Sequence, residues 1–264
     1  MNSDLIYTCT KCNCSYSEFR LSCFNCGAWN SIRKAETRRH FSRPMPLPDI
    51  RAIPPPRFRS GITPIDTLMG GGFVPGSSVL LAGPPGAGKS TLVMQILNRS
   101  GKKALYSSGE ESLDQLKLRA DRLRINSPEI SLLFETNVER ISSHIQSDSV
   151  RILVVDSVQT AYSGGTDSFP GTPTQIRKCT YLLRRVCQQT NTTLFLVGQV
   201  TKARTAAGPN LLQHAVDVVL SLDADSADSD YRTLHASKNR FGSTLHSCSL
   251  RMTHLGFHFS SVIP

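Results

Sequence analysis

Gly83-Pro84-Pro85-Gly86-Ala87-Gly88-Lys89-Ser90-Thr91, directly after the apolar run 78–82 (SVLLA), decides the reading of this chain. It fits G-x-x-x-x-G-K-[ST] in the context that the pattern needs, a buried strand before it and a helix, 89–99, opening from its end. The glycines let backbone N–H groups curl round phosphate oxygens, and the helix N-terminus adds a favourable dipole. The expected ligand is ATP, with Lys89 reaching the β- and γ-phosphates and Ser90 holding Mg²⁺. A chance glycine-rich turn is set aside because motif and context agree.

Outward from this loop, strand-like and helix-like stretches alternate. Strands are expected at 103–107, 131–134, 150–156 and 193–197, and helices at 112–123, 138–146 and 173–189. Leu113, Leu116 and Leu123 are assigned to a core-facing stripe of the first helix, and Ile176, Cys179, Leu183, Val186 and Cys187 to one of the last. Strands at 216–222, 231–237 and 244–252 look like a closing antiparallel section. The fold class is therefore α/β, with a mainly parallel central sheet and crossover helices.

Several polar residues end these strands. Asp156 follows Ile152–Val155 and would help to hold the Mg²⁺, directly or through water; a simple strand-end cap is the plainer alternative. Glu110 and Glu111 follow the strand 103–107, where a carboxylate could orient water onto the γ-phosphate or could favour the dipole of the next helix. Gln199 follows the strand 193–197 as a candidate γ-phosphate sensor, and its position alone does not choose between that role and an ordinary polar strand end.

The N-terminal region differs in chemistry. Five of the eight cysteines lie in the first 26 residues. Cys9-x2-Cys12 and Cys23-x2-Cys26, ten residues apart, form two knuckles suited to a tetrahedral all-sulfur Zn²⁺ site, with Cys14 as a possible substitute. A module this small cannot bury enough core, so the metal would supply its folding energy. Residues 1–30 are read as this module, 31–58 as a basic, proline-rich linker and 59–264 as the ATPase domain. Cys179, Cys187 and Cys248 are read as small core residues.

The net charge is +10, and residues 1–60 carry 10 Lys+Arg against 4 Asp+Glu. A basic flank on a more balanced remainder suggests a polyanion, most simply nucleic acid; a solvated face is the alternative. No run is long and apolar enough to span a bilayer, and no secretory signal opens the chain. A cytoplasmic protein without a membrane partner is expected.

Taken together, these pieces resemble the RadA/Sms family of bacterial DNA-repair ATPases, relatives of RecA. The matching stretches are Cys26-Gly-Ala-Trp29-Asn30, Gly70-Gly-Gly-Phe-Val-Pro-Gly76, the phosphate loop, Gly109-Glu-Glu-Ser112, Val155-Asp156-Ser157-Val158-Gln159, Val197-Gly-Gln-Val-Thr-Lys202 and Lys238-Asn-Arg-Phe-Gly242. The resemblance implies a RecA-like core forming a homo-oligomeric, hexameric ring on single-stranded or branched DNA. It implies a DNA-dependent ATPase in repair and recombination, with branch migration and helicase-like activity, and recombinase or helicase proteins as partners. It makes Glu110 the first choice for activating water, with Glu111 second. It brings Lys238 and Arg240 to the ATP of a neighbouring subunit; alone, the sequence favours a solvated hairpin pair. It assigns 162–176 and 201–210 to DNA-contacting loops, with Lys202 and Arg204 as phosphate contacts, although flexible surface is the alternative there.

Three features depart from the family. Asn13 replaces the usual Gly after the second knuckle cysteine, and Gln199 stands where many members have His. The Lon-protease-like domain that follows in the family, inactive as a protease, is not reached, which implies a short or truncated member. The competing expectation is a KaiC-like protein in which ATP gates assembly on a protein partner.

Overall fold

The computed structural model describes residues 7–11, 14–16, 19–24, 26–34, 46–49, 54–147, 149–165, 168–199, 209–224 and 229–263. The chain divides into two compact units, residues 1–53 and 54–264.

In the first unit, β1 (Tyr7–Cys9) pairs antiparallel with both β2 (Ser15–Tyr16) and β3 (Ile32–Lys34). Residues 32–34, read from sequence as linker, are thus a paired strand, and Ile32 is buried beside Cys9 and Cys23.

The second unit is built on one nine-stranded sheet. Its strands are β4 (Ser78–Gly83), β5 (Ala104–Ser108), β6 (Ile130–Phe134), β7 (Ile152–Asp156), β8 (Thr193–Gln199), β9 (Val218–Ala224), β10 (Tyr231–Asn239), β11 (Ser247–Thr253) and β12 (Gly256–Ile263). The order is β12-β11-β10-β9-β4-β8-β7-β5-β6. Pairing is parallel from β9 through β6 and antiparallel from β9 to β12.

The central parallel strands β4, β7 and β8 read as nearly unbroken apolar runs because both faces are covered, whereas the edge strand β6 is half exposed. Alternate side chains go to opposite sides. Val79, Leu81, Ile152, Val154, Phe195 and Val197 join one core, packed with α1 (Thr63–Leu68), α2 (Lys89–Ser100) and α3 (Leu113–Arg122). Leu80, Ala82, Leu153, Val155, Leu194 and Leu196 join the other, under α4 (Val138–Ser147), α5 (Pro173–Thr190) and α6 (Pro209–Ala215).

Cys179, Cys187 and Cys248 are buried, and burial pushes their thiols up to about 11, 12 and 11. They are packing groups without thiolate character at neutral pH. Leu113 is not core: it is 45% exposed. Ser112 caps α3 with a reciprocal bond to Gln115, so the helix begins at Leu113 and turns Leu116 and Ala120 inward instead. A cap of this kind stabilises a helix by about 1 kcal/mol.

Candidate nucleotide site and cysteine cluster

Register gathers the polar strand ends on one edge. Gly83 pairs with Gln199, Val197 with Asp156, and Asp156 with Ser108. The carboxyl ends of β4, β5, β7 and β8 therefore open onto one crevice, the usual ligand position in open parallel sheets. A cavity of about 390 Å³ lies there, lined by the loop from Pro85 to Thr91, by Glu110 and Glu111, and by Asp156 and Ser157.

The loop is held in shape by what glycine permits. Gly88 has φ +96°, and a Cβ there would lie 2.3 Å from Met252 and 2.7 Å from Phe257. Gly109, at the turn after β5, has no room either: its Cβ would lie 2.2 Å from Thr160 Oγ1. Its N–H donates to Asp156 O at 2.8 Å, tying the ends of β5 and β7 together.

Within this frame, Lys89 is buried and its Nζ donates to Gly83 O (2.9 Å) and Pro84 O (2.8 Å). Burial lowers its ammonium pKa, and the negative charges of Asp156 and Glu110 oppose that shift. A phosphate entering the loop would offer this buried cation a full anionic partner in place of two carbonyls. Ser90 Oγ donates to Asp156 Oδ2 at 2.6 Å, so the two proposed Mg²⁺ ligands converge. Hard oxygen donors of this kind, a hydroxyl and a carboxylate, suit Mg²⁺, which keeps its remaining positions for water and phosphate.

Tyr106 OH also donates to Asp156 Oδ2. Burial, and then the Asp156 charge, hold the phenol pKa well above its ordinary value, so it is a fixed donor. The two acids differ. Ser157 Oγ donates to Glu110, whose side chain is exposed to the crevice. Glu111 is ion-paired with Arg119 of α3. Both acids' N–H groups reach Ser108 Oγ, at 3.3 and 2.9 Å.

Lys238 and Arg240 lie at the opposite edge. Arg240 Nη1 reaches Asp217 Oδ1 at 3.1 Å, and that carboxylate accepts from Ser78 N at 3.0 Å, at the start of β4. The six residues from Ser78 to Gly83, five steps along the strand, span about 17 Å. Neither cation therefore adjoins the chain's own phosphate loop. Lys238 Nζ donates to Gln213 O and Val216 O, both at 2.6 Å, closing the end of α6. Burial, and then the Arg240 charge, lower its pKa.

Backbone register brings Gln199 beside Gly83, but its side chain lies outside the described residues, as do Lys202 and Arg204. Sequence reasoning missed Tyr106, Ser157, Arg119, Arg122, Met252 and Thr253 at the crevice. A tyrosine inside the otherwise small and aliphatic strand ALYSS was an available signal. Met252 and Thr253, far along the chain, gave none.

In the first unit, the sulfurs of Cys9, Cys23 and Cys26 all lie within 4.8 Å of one another; Cys12 is outside the described residues. In a tetrahedral thiolate site with Zn–S about 2.3 Å, adjacent sulfurs sit about 3.8 Å apart. Cys9 Sγ and Cys26 Sγ are 3.8 Å apart, too far for a disulfide. The Lys11 N–H points at Cys9 Sγ (3.4 Å), and Tyr16 OH lies 3.0 Å from Cys23 Sγ. This donor set fits zinc.

A family model described as an AAA domain matches residues 44–205. DNA repair protein RadA of Bacillus subtilis is 42% identical over 255 residues, covering 90% of this chain and 56% of that protein. DNA repair protein RadA of Aquifex aeolicus is 38% identical over 259 residues, covering 95% and 58%. This chain thus spans little more than half the length of the curated relatives it matches. Among solved structures, a KaiC-like protein from Pyrococcus horikoshii superposes with TM-score 0.64 at 20% identity, over 80% of this chain and 100% of that one. The RadB recombinase superposes with TM-score 0.58 at 25% identity, over 76% and 98%. The chain belongs to the AAA domain family, has a RecA-like fold and is a homologue of the DNA repair proteins named RadA.

Proposed function

We propose that this chain is a DNA-dependent ATPase of repair and recombination, working as a ring that promotes branch migration and strand processing. The observation that carries the ATPase reading is the convergence at the phosphate loop. Ser90 and Asp156 meet at 2.6 Å, beside buried Lys89 and crevice-facing Glu110. The loop's N–H groups and Lys89 bind the β- and γ-phosphates, and Ser90 and Asp156 hold Mg²⁺, which supplies charge neutralisation on the phosphates. Glu110, steadied by Ser157, orients water and accepts its proton. Gln199 senses the γ-phosphate. Lys238 and Arg240 act on a neighbour's nucleotide, a role supported by their distance from their own loop. Lys202 and Arg204 contact DNA phosphates.

The relatives, which are named as DNA repair proteins, support the DNA side, together with the chain's net charge of +10. The test is ATP hydrolysis with and without single-stranded DNA, alongside DNA affinity across a salt series. Hydrolysis is expected to rise with DNA, and affinity to fall steeply with salt as counterions are released. Unchanged hydrolysis and no salt-sensitive binding would favour nucleotide-gated assembly on a protein partner.

The cysteine cluster is proposed as a structural Zn²⁺ site of Cys9, Cys12, Cys23 and Cys26. Freshly reduced protein is expected to carry about one zinc per chain by metal analysis. Cys26→Ser is expected to release the metal and unfold the first unit while leaving the thermal transition of the second in place. Zinc-free protein with the first unit folded would defeat the assignment.

A further inference from the structure

Arg57 lies near the start of the second unit, in the stretch that the sequence reads as linker. Its neighbour Phe58 is fixed by two backbone hydrogen bonds with Phe73, at 2.9 and 2.8 Å. The Arg57 guanidinium is half-buried and donates to three carbonyls. Nη1 reaches Met69 O at 2.8 Å and Gly72 O at 3.0 Å, and Nη2 reaches Phe241 O at 2.5 Å. The first two carbonyls belong to the glycine turn 69–72 that follows α1. The third lies 184 residues away from Arg57 in sequence, next to Arg240.

The two turns touch. A Cβ at Gly70 would lie 3.7 Å from both Gly242 Cα and Phe241 O, and one at Gly242 would lie 3.6 Å from Met69 O. Asn239 Oδ1 accepts from Phe241 N at 2.9 Å, which closes the turn at the end of β10. Arg240 N donates to Asp217 O at 3.1 Å. Residue 240 is therefore held on its amino side by Asp217 and on its carboxyl side, one peptide on, by Arg57. A guanidinium suits this place because its donors form a rigid planar fork that can bridge two chain segments at once. Arg57 is not among the residues that line the nucleotide crevice. What it fixes is the edge that carries Arg240.

We propose that Arg57 is a positioning residue for hydrolysis in the neighbouring subunit: it pins Phe241 O to the glycine turn and so sets the reach of Arg240 toward that subunit's ATP. The role rests on the action of Arg240 in trans under the proposed function. Transition-state contacts are sensitive to such placement, and a shift of about 1 Å can cost about a hundredfold in rate.

The test is phosphate release from Mg²⁺·ATP by the full chain, with nucleotide affinity, particle size and thermal transition measured on the same samples. Arg57→Ala is expected to bind nucleotide as the wild type and to lose about a hundredfold in kcat with KM unchanged. Adding Arg57→Ala to Arg240→Ala should cost nothing further, because both act through one guanidinium. Mixing assigns the half of the site. Arg57→Ala subunits keep a working phosphate loop, so mixing them with Lys89→Ala subunits should raise activity above either alone. Mixing them with Arg240→Ala subunits should not, since both lack the same half. Arg57→Lys keeps the stem and the charge but not the fork; it stands in if Arg57→Ala does not fold, with the same mixing pattern expected.

Wild-type turnover in folded Arg57→Ala overturns the positioning role and leaves the proposed function standing. Rescue by Arg240→Ala subunits also overturns it, because Arg57 would then serve its own phosphate loop. Loss of the oligomer makes Arg57 an assembly residue, and unfolding of both variants makes it a packing residue; either result overturns the role. If Arg240→Ala and Lys89→Ala subunits themselves fail to complement in mixed rings, the trans reading falls and takes this role with it.

Discussion

Glu110→Gln is expected to bind ATP normally and to lose hydrolysis by about two to four orders of magnitude, the range for removing a positioned general base. The acid stands at the carboxyl end of β5, faces the crevice beside Lys89 and Asp156, and accepts a hydrogen bond from Ser157. Gln keeps the size and that hydrogen bond but cannot accept a proton. Glu111 is the control. Its carboxylate is already paired with Arg119, so Glu111→Gln should cost far less turnover and should loosen the start of α3 instead. Fluorescent-nucleotide affinity and phosphate release, measured on both variants, separate the roles. A dead Glu111→Gln beside an active Glu110→Gln would reverse them.

Arg240→Ala is expected to bind ATP and to lose hydrolysis by about three orders of magnitude or more, as when an arginine supplied in trans is removed. Its guanidinium rests on Asp217, near the amino end of β4, while the phosphate loop lies at the other end of that strand. It can therefore meet a γ-phosphate only across a subunit boundary. Mixing supplies the diagnosis. Arg240→Ala and Lys89→Ala subunits, each inactive alone, fail in different halves of a shared site. Mixed rings contain interfaces with both halves intact, and activity should partly return. No return from rings confirmed as mixed by native mass spectrometry would make Arg240 a structural partner of Asp217.

How far the sequence alone leads depends on whether the decisive interaction is local. The run from Ser78 to Thr91 specifies strand, loop and helix within fourteen residues, and the all-buried strand ILVVD before Ser157 announces a two-sided sheet. The caps that set the starts of α3 and α5, Ser112 and Thr172, are residues of the usual capping type, but the sequence reading placed Ser112 inside its helix. Leu113 was misassigned because helical periodicity does not say which turn is first; the Ser112 cap sets that phase.

Contacts between distant segments were not legible. Tyr106 reaches Asp156 from the neighbouring strand, about fifty residues away in sequence, and Met252 and Thr253 complete the crevice from β11 only because the antiparallel section folds back over α2. The place of Lys238 and Arg240 depended on sheet order, β9 lying between β10 and β4, which periodicity does not encode. Residues 32–34 looked like the start of a linker, and only the pairing of β3 with β1 makes them part of the first unit.

The most direct measurement is inorganic phosphate release from Mg²⁺·ATP by the wild-type chain and by Lys89→Ala, with circular dichroism confirming that both are folded. Among the described residues the Lys89 ammonium donates hydrogen bonds to the carbonyls of Gly83 and Pro84, so its removal takes away phosphate contacts and little of the core. The expected result is steady turnover in the wild type and none above background in folded Lys89→Ala. Near-normal turnover in folded Lys89→Ala would contradict an ATP-hydrolysing phosphate loop at residues 83–91.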